Sequence, residues 1–140
     1  MNKKAGFSMI ELMVYLAIVG LLLITVGPMV LSRLGTAKTS KTKQTLAALK
    51  GGVTTYYLEF NKYPTVLEDL VRKPKDVPGW HAEIDPDTVK WNEDKTKIVD
   101  AWDTPFHYRI TKGGTHQYEL YSEGDPDASE PAKIDAWNLG

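Results

Sequence analysis

One carboxylate stands where carboxylates are rare. From Phe7 to Leu31 the chain is apolar, and Glu11 is the single charge in the run. About 25 such residues are enough to cross a hydrocarbon core as a helix. A carboxylate at membrane depth costs roughly 3 kcal/mol on insertion scales. Glu11 therefore either stays at the interface or has a partner of opposite charge. Other chemistry is thin. His81, His107 and His116 show no zinc spacing. No glycine-rich phosphate loop precedes a helix. The chain has no Cys, and no Ser sits in a nucleophile motif, so catalysis has no visible support.

The element that positions Glu11 is the apolar helix, and the residues before it carry a signal. Lys3-Lys4-Ala5-Gly6 followed by Phe7-Ser8-Met9-Ile10-Glu11 resembles the type III signal of prepilin-like proteins, the type IV pilins and type II secretion pseudopilins. The resemblance implies that a prepilin peptidase cuts between Gly6 and Phe7 and methylates the new Phe7 amine. It also implies that Glu11, at the fifth mature position, pairs with the Phe7 amine of a neighbouring subunit. Pro28 falls where family members often carry one. Within one helix the amine and Glu11 interact only weakly. Between two staggered helices they neutralise each other and set the axial register. Removing one partner of such a pair is expensive. A secretory signal peptide fits less well, because the run is too long and no small-x-small site follows it. A plain single-span anchor with an incidental Glu is the simpler alternative.

One hundred and forty residues allow the anchor plus one modest domain. Residues 1–50 hold seven Lys/Arg and one acid, a balance of +6. Residues 51–140 hold ten Lys/Arg and seventeen acids, a balance of −7. The acidic domain argues against a nucleic-acid partner. Lys3 and Lys4 precede the span, whereas Arg33, Lys38, Lys41, Lys43 and Lys50 follow it. Counting basic residues alone favours the topology with the N-terminus outside; the leader resemblance implies the reverse. The basic face past the span is suited to lipid headgroups.

The helix is expected to continue beyond the span. Leu46, Leu49, Val53, Tyr56, Tyr57 and Phe60 recur at three- and four-residue spacing, one stripe for packing a small domain. Gly51-Gly52 weakens it by about 1 kcal/mol per Gly relative to Ala. Asn61 to Thr65 ends it, since Pro64 disfavours a helical Tyr63. Thr65-Val66-Leu67-Glu68 reads as a capping box for a short second helix burying Leu67, Leu70 and Val71. From Pro74 to Trp102 the chain is loop-rich, with short strands near Val89–Trp91 and Ile98–Val99. Trp80, Trp91 and Trp102 are expected to fill a small core. Two better strands follow, Pro105 to Thr111 and His116 to Tyr121, joined through Gly113-Gly114 as a hairpin.

Three further segments resemble the major pseudopilins of type II secretion. Tyr63-Pro64-Thr65 with Leu67, Leu70 and Val71 is one. Asp100 to Arg109 is another, in its pattern of Asp, Trp, Pro and aromatic-x-Tyr-Arg, although Ala101 and Asp103 replace the usual Pro and Gly. The third is Tyr118 to Asp127 with Ile134 to Leu139, which resembles that family's calcium loop. Calcium takes six to eight hard oxygens at about 2.3–2.6 Å. The resemblance implies a structural calcium held by Asp125, Asp127, Asp135 and backbone carbonyls near Leu120. Here the family's Gly-rich middle is replaced by Ala128 to Lys133, and Asp135 stands two residues before Trp137 rather than four. An acidic solvated tail is the alternative.

The resemblance covers nearly the whole chain and implies a pilin-like α+β fold. Residues 1–6 are the leader, 7–31 the membrane and filament-core helix, 32–62 its periplasmic continuation, and 63–140 a globular head with a short antiparallel sheet and the calcium-type loop. The implied role is structural, not enzymatic. Subunits leave the bacterial inner membrane, with their heads in the periplasm, and stack into a helical pseudopilus that helps export folded proteins. Implied partners are further copies, minor pseudopilins, the prepilin peptidase, the inner-membrane assembly platform and, before assembly, membrane lipid. A type IV pilin for adhesion, motility or DNA uptake is the second option, and a membrane-tethered ligand-binding module the third.

Overall fold

Helix α1 runs over Met9–Phe60 in the computed structural model, which describes residues 7–139, apart from the side chain of Leu31. Glu11 lies in its first turn, where the helix dipole favours a negative charge. Pro28 lies inside the helix. It leaves one carbonyl without its usual amide donor. Nearby hydroxyls bond to the backbone: Thr25 donates to the carbonyls of Leu21 and Leu22 at 3.2 and 3.0 Å. Ser32 donates to that of Met29 at 3.0 Å.

The chain divides into two compact units, the first through Thr36 and the second Ala37–Gly140. In the first, none of the apolar window is buried. In the second, the three- and four-residue stripe is buried as the spacing predicts: Leu46, Leu49 and Val53 are fully covered and Tyr56 nearly so. Two stripe positions differ. Tyr57 is exposed and stacks on Tyr63, with ring centroids 4.5 Å apart. Phe60 is half-buried against the core. Gly52 is explained by proximity rather than by looseness. A Cβ there would lie 2.8 Å from Ile84 Cδ1 and 3.3 Å from Leu70 Cδ1, so only Gly lets that wall approach α1.

Helix α1 stops at Asn61, whose φ of 51° is left-handed, a conformation Asn tolerates. The next element corrects the sequence reading. Leu67–Leu70 is a single 3-10 turn rather than an α-helix, and its cap residue is Val66. Asp69, not Glu68, closes it, accepting from the amides of Thr65 and Val66 at 3.0 and 3.2 Å. Glu68 instead reaches across to the Ile98 amide at 3.2 Å. Leu67, Leu70 and Val71 are buried as expected. A second 3-10 turn, Pro86–Thr88, is capped by Asp85.

Two antiparallel sheets follow. Strands β1 (Lys90–Trp91) and β2 (Ile98–Val99) pair Lys90 with Val99 and Trp91 with Ile98. Strands β3 (His107–Ile110), β4 (Tyr118–Ser122) and β5 (Ile134–Asp135) form a second sheet in the order β3-β4-β5. The Gly113-Gly114 hairpin forms as expected, with the Thr111 amide bonded to the Gln117 carbonyl at 2.8 Å. In β4 the alternation is clean: Tyr118, Leu120 and Ser122 are buried and Glu119 is exposed. The tryptophans lie at the rim of the core, not its centre. Trp80 Nε1 donates to the Asp69 carbonyl at 2.8 Å, and the Arg72 guanidinium lies 4.1 Å over the Trp91 ring. Tyrosine and tryptophan suit such a rim, where a polar edge finds a partner.

Candidate functional site

The N-terminal site is a helix head presented to its surroundings. Phe7 is 83 % exposed, and Glu11 is exposed four residues on. Gly6, on the other side of the expected cleavage point, lies outside the described residues. Apolar residues around Glu11 are also bare: Ile10 is 65 % exposed and Val14 52 %. A bare apolar surface of this extent marks an interaction or membrane face.

The C-terminal loop is built on a buried polar knot that the sequence reading missed. Asp100 is 2 % exposed and Ser122 and Thr42 fully buried. Asp100 Oδ1 accepts from the amides of Trp102 and Thr104 at 2.9 and 3.0 Å. Its Oδ2 accepts from the Ser122 hydroxyl at 2.5 Å. That hydroxyl accepts from the Gly124 amide at 3.0 Å. Thr42 Oγ1, on α1, accepts from the Ala101 amide at 3.3 Å. One carboxylate thus ties the turn before β3 to the end of β4 and the loop that leaves it. A buried acid is tolerable when its oxygens are saturated this way. Gly124 has a φ of 82°, and a Cβ there would collide with the Ala132 carbonyl, so the two limbs of the loop touch at that point.

The residues expected to hold calcium lie on β4 and in the loop that leaves it, and three of the four have their oxygens engaged elsewhere. Asp125 Oδ1 accepts from the Asp127 amide at 3.0 Å. The Leu120 carbonyl accepts from the Ala136 amide at 3.0 Å. Asp135 Oδ1 accepts from the Trp137 amide at 3.0 Å, and its Oδ2 lies 3.5 Å from Lys133 Nζ. Lys133 also sits 3.8 Å over the Tyr121 ring. Lys50 Nζ, from α1, donates to the Ala136 carbonyl at 3.2 Å and lies 4.2 Å over Trp137. The donor types fit calcium, being hard oxygens. Their arrangement turns Asp135 toward a lysine. Among the described residues, the group of acidic and histidine side chains whose donor atoms lie within 4.8 Å of one another is a different one: Glu59, His81 and Glu83. Burial, reinforced by the Glu59 charge, pushes the Glu83 carboxyl above its ordinary value of 4.5.

A long N-terminal helix that is bare and apolar at its head, followed by a small antiparallel head, is the architecture of a pilin-like protein. Residues 29–137 match the family described as type II secretion system, protein G, and residues 1–27 match the prokaryotic N-terminal methylation motif. The chain is 33 % identical to the type II secretion system core protein G of Pseudomonas aeruginosa, over 98 % of this chain and 97 % of that protein. It is 28 % identical to the Aeromonas hydrophila protein of the same name, over 99 % and 95 %. Against the Escherichia coli one it is 29 % identical over 99 % and 93 %. No solved structure matches the chain significantly. The chain belongs to the type II secretion system protein G family, the major pseudopilins, whose role is structural.

Proposed function

We propose that this chain is a processed, membrane-held subunit that assembles through α1 into a periplasmic pseudopilus helping to export folded proteins. The observation that carries the reading is the fully bare apolar window with one carboxylate near its head. Before assembly, lipid covers that window. After assembly, other copies do, and because lipid tails are as apolar as the side chains, packing and charge pairing decide the outcome. The prepilin peptidase cuts between Gly6 and Phe7 and methylates Phe7. The Phe7 amine of one subunit then neutralises Glu11 of another. Heads lie in the periplasm and the span in the inner membrane, and minor pseudopilins and the inner-membrane platform are the other partners.

The intact mass of the chain purified from membranes tests the processing step. It should lack residues 1–6 and carry one methyl group. A mass that retains the leader would contradict it. Glu11→Gln should leave insertion intact and abolish sheared filaments.

Calcium at the C-terminal loop belongs to the same proposal and is supported by donor chemistry alone. Asp125, Asp127 and Asp135 would hold it, and the ion would replace Lys133 as the counter-charge of Asp135. Chelator should then lower the melting temperature of the full chain, and Lys133→Gln should raise calcium affinity. No response to chelator in either protein would remove the metal.

A further inference from the structure

A second cluster, sharing no residue with either site above, has the chemistry of a different metal. Glu59 lies in the last turn of α1. His81 and Glu83 stand two apart in the segment after Trp80, which is fixed by the Glu83 and Ile84 amides bonding to the Leu70 carbonyl at 2.9 and 3.2 Å. His81 Nε2 lies 3.2 Å from Glu59 Oε2 and 3.7 Å from Glu83 Oε1. Ligands at zinc-type bond lengths around a tetrahedral ion are roughly 3.4 Å apart. Both carboxylates therefore stand near that spacing from the imidazole, and the three donor atoms lie within 4.8 Å of one another.

Two further observations point to a cation here. The Glu83 side chain is only 4 % exposed. Its Oε1, aimed at the cluster, has no hydrogen-bond partner. A buried carboxylate oxygen without a hydrogen bond is an expensive thing to keep. Second, Glu59 is in the last turn of α1, which has no basic residue there. A carboxylate at the negative end of a helix dipole is unfavourable unless a cation accompanies it.

We propose that Glu59, His81 and Glu83 bind a divalent first-row transition cation of the zinc type. An imidazole with two carboxylates suits zinc and its neighbours better than calcium or magnesium, which prefer oxygen throughout. The two carboxylates balance the ion's charge. His81, 60 % exposed, leaves a further coordination position open to solvent. The ion joins the end of α1 to the loop that packs on it, so binding favours the folded head.

The test uses the full chain without a histidine tag, in detergent, stripped with chelator and then titrated with zinc. One zinc per chain is expected, together with a rise in melting temperature that an equal concentration of calcium does not produce. His81→Gln, at an exposed position, should leave the circular dichroism unchanged and weaken zinc binding by at least about tenfold. Cobalt substituted for zinc should show a visible ligand-field spectrum that the variant lacks. Zinc binding equally well to His81→Gln would place the ion on His107 or His116 and overturn the assignment. So would no stoichiometric binding.

Discussion

The two parts of α1 are one helix in two situations. Before Thr36, Leu22 and Leu23 are 56 % and 68 % exposed. After Ala37, Leu46, Leu49 and Val53 are not exposed at all. The residue types hardly differ; what differs is whether the same chain brings a surface to cover them. Helices are held chiefly by burying such a face. The later part is therefore stabilised within the subunit, and the earlier part, on the proposed function, by lipid or by other copies. Folding of the head and assembly of the filament should be separable by mutation.

Paired substitutions at leucines in the two parts give the sharpest separation. Leu49→Ala should lower the unfolding free energy by about 3–4 kcal/mol, the usual result of emptying a filled core site. Leu22→Ala should leave it unchanged. Urea unfolding of the full chain in detergent reads this through Trp80, Trp91, Trp102 and Trp137, all within the second unit. Equal losses would break the comparison. Asp100→Ala should cost about 3 kcal/mol, because the Ser122 hydroxyl and two amides lose their acceptor together. It should not alter membrane insertion. The glycines make a third pair. Gly52→Ala should destabilise the head by about 2 kcal/mol through overpacking against Ile84. Gly20→Ala, with nothing within 4 Å of the added carbon, should not.

The smallest effect concerns pH. Tyr108 donates its hydroxyl to the Pro64 carbonyl at 2.9 Å, and burial pushes its phenol well above the ordinary 10.0. The unfolded chain thus loses this proton first. Stability is complete below pH 10 and declines as pH rises above it. Tyr108→Phe should cost about 1 kcal/mol at neutral pH and flatten the alkaline decline, measured by phenolate absorbance alongside unfolding.

What the sequence made legible follows from how local each signal is. The leader motif, the stripe from Leu46 to Tyr56 and the hairpin around Gly113-Gly114 are encoded in short windows, and the last two were read correctly from spacing. The cap of Leu67–Leu70 was misread because Thr65 and Glu68 have the right types, while Asp69 has the better geometry. Asp100 was noticed only as part of a segment pattern, since its buried partner Ser122 is distant in sequence. Glu59 meets His81 and Glu83 through the packing of a loop on a helix end, which no ligand spacing announces. Lys133 beside Asp135 was equally invisible as a counter-charge in the C-terminal loop.

The central claim is that the bare part of α1 is covered by other copies in a register set by Glu11. The absence of native cysteine allows a clean measurement. Single cysteines at Ile10, paired with others placed between Val14 and Leu22, should give disulfide-linked dimers and higher adducts in cells that assemble the filament. The adducts should be confined to one or two of the partner positions and disappear with Glu11→Gln. Adducts spread evenly over all positions, or unchanged when Glu11 is neutralised, would contradict it.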